Sequence, residues 1–202
     1  MDNTVFAPDD IKEMVSPDMD FLSMMKKMRE SGDFYASYEK REQFRIGTSW
    51  HVPTQELVSK LLEYGAIVSV GSGFAYTESI AIVQGADIIA TDIQPNKKNG
   101  WCREGKFHCK VEKLNSGEAV RKYDDRNVFM AWPPYDTPMA HEAVTSMKVG
   151  AYLIYVGEGH GGCTGDDNFF ESLYNDFEEV DYFSIPKWSG INDACWIYKK
   201  IK

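Results

Sequence analysis

The segment from Ile67 to Pro95 limits the possible folds of this chain more than any other stretch. It reads IVSVGSGFAYTESIAIVQGADIIATDIQP. The apolar run 67–70 predicts a buried strand, a glycine turn follows it, and residues 76–84 predict a helix that packs back on the sheet. A second strand, 88–91, then ends at Asp92. This order indicates a parallel α/β sheet with a nucleoside-binding edge.

The turn itself helps to choose the cofactor. Gly71, Ser72 and Gly73 let the backbone approach a ligand closely, and Asp92 follows at about the 20-residue spacing of acids that accept from ribose hydroxyls. Tyr76 stands where a third glycine would support a pyrophosphate. A nicotinamide-dependent oxidoreductase therefore ranks last among our hypotheses. S-adenosylmethionine carries no phosphate and fits the turn better.

The rest of the chain continues the alternation of strands and helices. A helix is expected to begin at the N-cap Thr54, and the segment 11–38 predicts one or two amphipathic helices. Further strands are predicted at 107–114, 127–131, 151–156, 177–186 and 194–200, with helices at 138–147 and 168–175. We therefore expect an N-terminal helical extension (1–53) packed on a Rossmann-like domain (54–202). Its seven-stranded sheet should be mostly parallel, with helices on both faces and a C-terminal antiparallel hairpin.

Composition narrows the functional classes. The formal charge of −9, from 22 basic and 31 acidic side chains, disfavours generic nucleic-acid binding. A local basic groove remains an alternative. No run approaches the roughly 18 apolar residues of a membrane span, so a soluble, cytoplasmic protein is expected. The four scattered cysteines suit a reduced compartment, and no metal site is predicted. The basic groove would include Lys97, Lys98, Arg103 and Lys106. Cys102, His108 and Cys109 are the residues considered and rejected as a metal site.

Three motifs resemble those of the class I (Rossmann-like) S-adenosylmethionine-dependent methyltransferases: VGSG at 70–73, Asp92, and WPPY at 132–135. The resemblance covers about residues 55–202. It implies that the glycine turn approaches the methionine part of the cofactor, that Asp92 holds the ribose, and that the WPPY turn faces the methyl group. Together with SW-x-x-P and GEG-x-GG-x-TG, WPPY also resembles a poorly characterised subgroup. The expected cofactor-binding residues are Gly71, Ser72, Gly73, Asp92, Ile93, Glu118 and Trp132.

Glu118 enters this set because it follows the third predicted strand, where it could accept from the adenine amino group. A surface carboxylate is an equally good interpretation.

The resemblance also suggests the catalytic residues. Related enzymes that methylate exocyclic or amide nitrogens carry N/D/S-P-P-Y/F, where a side chain and a proline carbonyl accept from the amino group. The corresponding turn here is Trp132, Pro133, Pro134 and Tyr135, and an indole offers only a donor. Ser69 likewise stands where many relatives carry an acid. WPPY could instead be a rigid turn with Trp132 buried against the core.

The glycine-rich segment GEGHGGCTGDDNFF after the fifth strand is expected to line the substrate mouth. His160 is the candidate general base, because the unperturbed pKa of histidine lies near neutrality. Other candidate polar groups are Glu158, Thr164 and Asp166. The alternative is a tight turn on which His160 is simply solvated.

The leading hypothesis is methyl transfer from S-adenosylmethionine to a small-molecule or protein substrate, with an amino or amide nitrogen as one candidate acceptor. A catalytically inactive S-adenosylmethionine-binding protein that acts as partner or sensor is the alternative. Trp132 and Ser69 favour that alternative. The sequence assigns no oligomeric state.

Overall fold

A computed structural model of the chain describes residues 4–16, 26, 36–94 and 106–202. Its strands are β1 (Ile67–Val70), β2 (Ile88–Asp92), β3 (Val111–Lys113), β4 (Asn127–Ala131), β5 (Tyr152–Gly157), β6 (Phe177–Ser184) and β7 (Ala194–Lys200). Its helices are α1 (Asp9–Lys12), α2 (Ala36–Gly47), α3 (Gln55–Glu63), α4 (Tyr76–Val83), α5 (Ser116–Lys122), α6 (Met139–Ser146) and α7 (Asp167–Asp176).

The strands form one seven-stranded sheet in the order β3-β2-β1-β4-β5-β7-β6. β1 pairs in parallel with both β2 and β4, and β7 runs antiparallel to its neighbours β5 and β6. The chain moves outward from β1 to β3 and then returns to the other side of β1 as β4. In open α/β sheets, ligands bind in the crevice at such a reversal, beyond the carboxyl ends of the strands.

Alternating side chains of the strands supply two separate cores. Val128 and Met130 of β4 pack with α5, α6 and α7 on one face, whereas Phe129 packs with α3 and α4 on the other. All of these side chains are completely buried. The predicted fold class, with helices on both faces and a C-terminal hairpin, is confirmed.

The N-terminal residues pack beside the sheet in a smaller cluster around Trp188. Ile11, Val15, Phe44 and Val52 surround its ring, and Ser16 exchanges backbone hydrogen bonds with Lys187. α2 begins near the end of the predicted helical segment 11–38 and continues well beyond it. Much of that prediction, including Phe21, Leu22, Met25 and Met28, lies outside the described residues, as do Lys97, Lys98, Cys102 and Arg103.

β3 is shorter than the strand predicted at 107–114. The preceding residues cover the glycine turn instead: His108 donates its backbone N–H to the carbonyl of Phe74 over 2.9 Å, and the ring of Phe107 packs edge-on against Phe74. Tertiary packing therefore outweighs the alternating pattern in these residues. Within the described ranges, no helix combines the length and apolarity that crossing a membrane requires.

Candidate functional site

A cavity of about 630 Å³ opens at the carboxyl edge of the sheet, where the strand order reverses. Its walls come from the residues that follow four adjacent strands: Gly71 after β1, Ile93 after β2, Leu114 after β3, and Trp132 after β4. The volume lies in the usual range of about 300–1,000 Å³ for small-molecule sites. The fold therefore brings four of its loops to one ligand-sized space.

The glycine turn approaches this cavity with its backbone exposed. Gly71 and Gly73 have φ values of +65° and +55°, which are accessible to glycine without a steric cost. A Cβ on Gly71 would lie 2.5 Å from Cε of Met139. Of the predicted turn residues, Gly71 lines the cavity, whereas the Ser72 hydroxyl donates to the carbonyl of Thr91 over 3.0 Å.

Asp92 lies beneath the turn, 6% exposed. Its Oδ2 accepts from the backbone N–H of Gly73 over 3.1 Å, and its Oδ1 accepts from that of Gln94 over 2.8 Å. Burial raises the pKa of Asp92, and these two backbone donors oppose the rise. The carboxylate thus couples the glycine turn to the end of β2, next to the cavity wall formed by Ile93.

The wall after β3 is formed by Leu114, Asn115 and Ser116. Asn115 caps α5: its side chain accepts from the backbone N–H of Glu118 over 2.8 Å, and the Glu118 carboxylate accepts in return from the Asn115 N–H over 3.3 Å. This reciprocal pair is a capping box. The structure therefore places the carboxylate of Glu118 on the helix end, outside the cavity wall, and its role at adenine stays a prediction.

The WPPY turn forms the opposite wall of the cavity. All four of its residues line the space, and the Tyr135 side chain is 64% exposed. Trp132 has a φ of +52°, a conformation that costs a non-glycine residue about 1–2 kcal/mol and that occurs preferentially at functional turns. Its backbone N–H donates to the carbonyl of Val156 over 2.8 Å.

Both proline carbonyls of the turn already accept hydrogen bonds within the protein. The carbonyl of Pro133 accepts from the backbone N–H of Gly165 over 3.1 Å, and that of Pro134 accepts from the hydroxyl of Thr137 over 3.0 Å. The turn therefore holds its shape through internal bonds, and its first side chain has no acceptor atom.

The N-terminal segment completes the wall around Trp132. The indoles of Trp50 and Trp132 are stacked, with centroids 5.5 Å apart, and the guanidinium carbon of Arg41 lies 4.9 Å from the Trp132 ring centroid. Arg41 and Trp50 both line the cavity. The segment around Trp50 therefore lies beside the WPPY turn at the carboxyl edge of the sheet.

A buried acid, Asp193, stands behind Trp132. Burial raises the pKa of its carboxyl to about 7, while the indole N–H of Trp132 and the charge of Arg41 partly offset this rise. The indole nitrogen of Trp132 lies close to the carboxylate of Asp193 but outside hydrogen-bonding geometry. Among the described residues, neither this nitrogen nor either carboxylate oxygen has a hydrogen-bond partner. Nε and Nη2 of Arg41 are enclosed in the same way. Arg41 nevertheless lines the cavity.

In the glycine-rich loop after β5, three of the four predicted polar side chains form hydrogen bonds with backbone groups within the loop or at its ends. Glu158 is buried and accepts from the backbone N–H groups of Cys163 and Asn192, each over 2.8 Å. Thr164 donates to the carbonyl of Glu158, and Asp166 caps α7 by accepting from Phe169. These groups hold the loop together.

His160 lies in a separate cavity, beside Phe170 and Trp196, where its Nε2 is 3.2 Å from Oδ1 of Asp167. The structure therefore does not bring His160 to the WPPY turn, and its predicted role as the base there has no support from its position.

Two buried titratable groups lie under the glycine turn. The hydroxyl of Ser69 donates to Glu78 over 2.5 Å, and burial raises the pKa of Glu78 to about 7. His51 contacts the hydroxyl of Thr77 over 2.9 Å, and burial lowers its pKa to about 3. Ser69 of β1 is thus hydrogen-bonded to a buried acid of α4.

The structure gathers Gly71, Ile93 and the WPPY residues around one cavity. It adds Arg41, Asn115 and Asp193, which the sequence analysis missed. Only Asn115 carries a local signal, the N-x-x-E pattern of a capping box. In the described part of the chain, no group of three His, Cys, Asp or Glu side chains could hold a metal ion.

No protein-family model matches this chain, and a search of curated proteins finds no match. Solved structures do match its fold. An MtNAS mutant in complex with S-adenosylmethionine is 11% identical, with a TM-score of 0.48 over 89% of this chain and 72% of that one. The B. subtilis tRNA methyltransferase TrmK is 15% identical, with a TM-score of 0.45 over 72% of this chain and 64% of its own. Precorrin-6y C5,15-methyltransferase from Geobacter metallireducens GS-15 is 13% identical, with a TM-score of 0.44 over 77% of this chain and 93% of that one. At these levels the likeness concerns the fold and selects no activity.

Proposed function

We propose that this chain binds S-adenosylmethionine in the cavity at the strand reversal and transfers its methyl group to a small-molecule or protein acceptor. The observation that carries this proposal is the meeting of Gly71, Ile93, Leu114 and Trp132 around one space of about 630 Å³. Loops at the carboxyl edge of an α/β sheet are where such folds bind nucleosides.

The residues of the cavity suit the parts of that cofactor. Gly71 allows close backbone approach, and Asp92 sits at the end of β2 as the candidate ribose partner. A carboxylate has about four acceptor sites, so its bonds to Gly73 and Gln94 are compatible with a sugar contact. Leu114 and Ser116 would flank the adenine. The cofactor supplies an electrophilic methyl group on a sulfonium, whose positive charge the aromatic face of Trp132 attracts.

Calorimetric titration with S-adenosylmethionine and S-adenosylhomocysteine tests the proposal. We expect both to bind, and Asp92→Asn to weaken S-adenosylhomocysteine by about tenfold, because hydrogen bonds to charged groups contribute about 1.5–3 kcal/mol. Asp87→Asn is the matched control, since Asp87 precedes the same strand at its other end and pairs with Arg126. Absence of binding by both compounds at millimolar concentration would refute the assignment.

The raised pKa of Asp92 gives the titration a pH signature. Protonation removes the charge that favours ribose hydroxyls, so affinity should fall as pH decreases through the raised pKa of Asp92. The fall should begin at a higher pH than an ordinary aspartate would give. The affinity of Asp92→Asn should be lower and should lack this fall.

A second candidate function is cofactor binding without catalysis, in a partner or sensor protein. Trp132 favours it, because its indole is a donor only, so the turn lacks one member of the acceptor pair that activates an amino nitrogen. Incubation with methyl-labelled cofactor and a metabolite or protein extract separates the two. Label transfer that Tyr135→Ala abolishes, with unchanged S-adenosylhomocysteine affinity, indicates an enzyme, whereas cofactor binding without transfer indicates the second candidate.

A further inference from the structure

We propose, on the basis of the proposed function, that the methyl acceptor is a monocarboxylate and that Arg41 binds its anion. The inference begins from where Arg41 lies along the sheet edge. The cofactor parts assigned above occupy the loops after β1, β2 and β3, and the WPPY turn after β4 marks the reacting centre. Arg41 reaches the cavity from the other side of that turn.

Arg41 interacts electrostatically with two buried acids. The charges of Asp193 and Glu158 both act on the guanidinium of Arg41. Glu158 follows β5, and Asp193 immediately precedes β7, whose antiparallel direction brings its start to the same edge as the end of β5. Arg41, whose guanidinium lies over the Trp132 ring, therefore interacts electrostatically with acids at the β5–β7 part of this edge. Arg41 lines the cavity, and its Nε and Nη2 are buried without a hydrogen-bond partner among the described residues.

The described wall of the cavity offers no base at this end. Its charged side chains are Arg41 and Glu142, and Glu142 also borders a small cavity beside Asn115 and Arg121, on the adenosine side. Burial raises the pKa of the Cys163 thiol, which disfavours its thiolate. Beside Arg41, an acceptor that must lose a proton would therefore meet no carboxylate or imidazole of the described wall, whose one carboxylate is Glu142.

The WPPY turn also cannot activate an amide-like nitrogen in the usual way. The usual activation needs an acceptor side chain at the first position of the turn, and Trp132 supplies only a donor there. A suitable acceptor is therefore nucleophilic as it arrives. Carboxylates are ionised at neutral pH, whereas thiols and phenols have reference pKa values of about 8.5 and 10.

The transfer to a carboxylate balances without a proton. A carboxylate oxygen forms the new C–O bond with its own electron pair, the C–S bond breaks, and the sulfur keeps the bonding pair as a neutral thioether. The products are a methyl ester and S-adenosylhomocysteine. The aromatic and proline wall supplies an apolar surface for the body of the acid, and Arg41 supplies the matching charge.

The local charges favour a monoanion over a phosphate dianion. Arg41 is the single basic side chain in the described lining, and the buried carboxyl of Asp193 stands behind it. A second negative charge on the ligand would have no partner there, and a buried unpaired charge is costly.

Binding of benzoate, cinnamate and octanoate, each compared with its primary amide, tests the inference. Titrations of the full chain saturated with S-adenosylhomocysteine should show at least one acid binding about tenfold more tightly than its amide. Arg41→Gln should remove this preference, and Arg41→Lys should retain part of it. Arg121→Lys is the control, because Arg121 contacts Ser146 on the outside of the domain. Inorganic phosphate should not displace the acid.

The outcomes separate this inference from the proposed function. If S-adenosylhomocysteine fails to bind the native chain, the proposed function fails and the acceptor assignment falls with it. If it binds but no acid is preferred over its amide, only the acceptor assignment is overturned. If Arg41→Gln weakens S-adenosylhomocysteine but not 5′-methylthioadenosine, Arg41 binds the carboxylate of the cofactor itself, which also overturns the inference.

Discussion

The indole of Trp50 lies parallel to that of Trp132, with planes 16° apart and centroids separated by 5.5 Å. Trp50 follows α2, whereas Trp132 follows β4, so the pair ties the N-terminal segment to the turn at the cavity. The guanidinium carbons of Arg45 and Arg41 lie 4.4 and 5.3 Å from the Trp50 ring. This layered arrangement gives the cavity an aromatic wall that neither segment could form alone.

Replacing Trp50 tests whether this stack orders the turn. We expect Trp50→Ala to lower the free energy of unfolding by about 1–3 kcal/mol, because it removes one aromatic pair and two cation–π contacts. Trp50→Phe should lose less than half of that. Denaturant unfolding gives the energies, and the exciton circular dichroism of the stacked indoles should disappear in both variants. An unchanged exciton signal would show that the two rings are not stacked in solution.

Gly71 combines a backbone constraint with a steric one. Gly71→Ala should be destabilising by about 1 kcal/mol from the left-handed backbone, with a further cost from the Cβ that would meet Met139. The double variant Gly71→Ala/Met139→Ala should show a positive coupling, since Met139→Ala removes the clash. Gly150→Ala is the control for backbone strain alone, because its φ is +91° and nothing lies within 4 Å of its Cβ. Strictly additive losses in the cycle would contradict the clash.

Most strands of the sheet could be predicted because each one is marked by residues that are adjacent in the sequence. Apolar runs bounded by turn residues predict β1, β4 and β7 with the bounds that the structure shows. β3 departs from its prediction because Phe107 and His108 cover the glycine turn, a tertiary contact without any local signature. The same limit applies more strongly to the site.

Arg41, Trp132 and Asp193 meet only through the fold. They come from the N-terminal extension, the turn after β4 and the start of β7, and no spacing rule connects them. His160 shows the converse: its residue type and its glycine-rich neighbours favoured a role at the substrate mouth, yet the loop carries it into another cavity. The type of a residue suggests a catalytic role, but the path of the backbone decides whether its side chain lies at the site.

His51 should make the fold sensitive to acid. Burial lowers its pKa from the usual 6.5 to about 3 in the folded chain, so below pH 6.5 the unfolded chain binds a proton that the folded chain rejects. Stability should therefore fall by up to about 1.4 kcal/mol per pH unit between pH 6.5 and 3 from this residue. Denaturant unfolding from pH 4 to 8 should show a shallower loss in His51→Gln. Thr77→Val removes the contact at 2.9 Å but leaves the imidazole, so it should keep the slope.

Glu78 should lower the stability of the fold as pH rises, whereas His51 lowers it as pH falls. Its pKa rises from the usual 4.5 to about 7 in the folded chain, because burial disfavours the carboxylate. The folded chain thus holds a proton that the unfolded chain releases, so the contribution of Glu78 is fully present below pH 4.5 and is lost as pH rises to about 7.

Glu78→Gln should therefore be more stable than the native chain at pH 8, by up to about 3 kcal/mol, and should show no such gain below pH 4.5. The amide can still accept from the Ser69 hydroxyl, so packing and the hydrogen bond are largely retained. Ser69→Ala is the matched variant: it removes a donor that lowers the pKa of Glu78, so it should steepen the loss of stability toward high pH. A Glu78→Gln gain of equal size at pH 4 and pH 8 would show that the carboxyl does not titrate in this range.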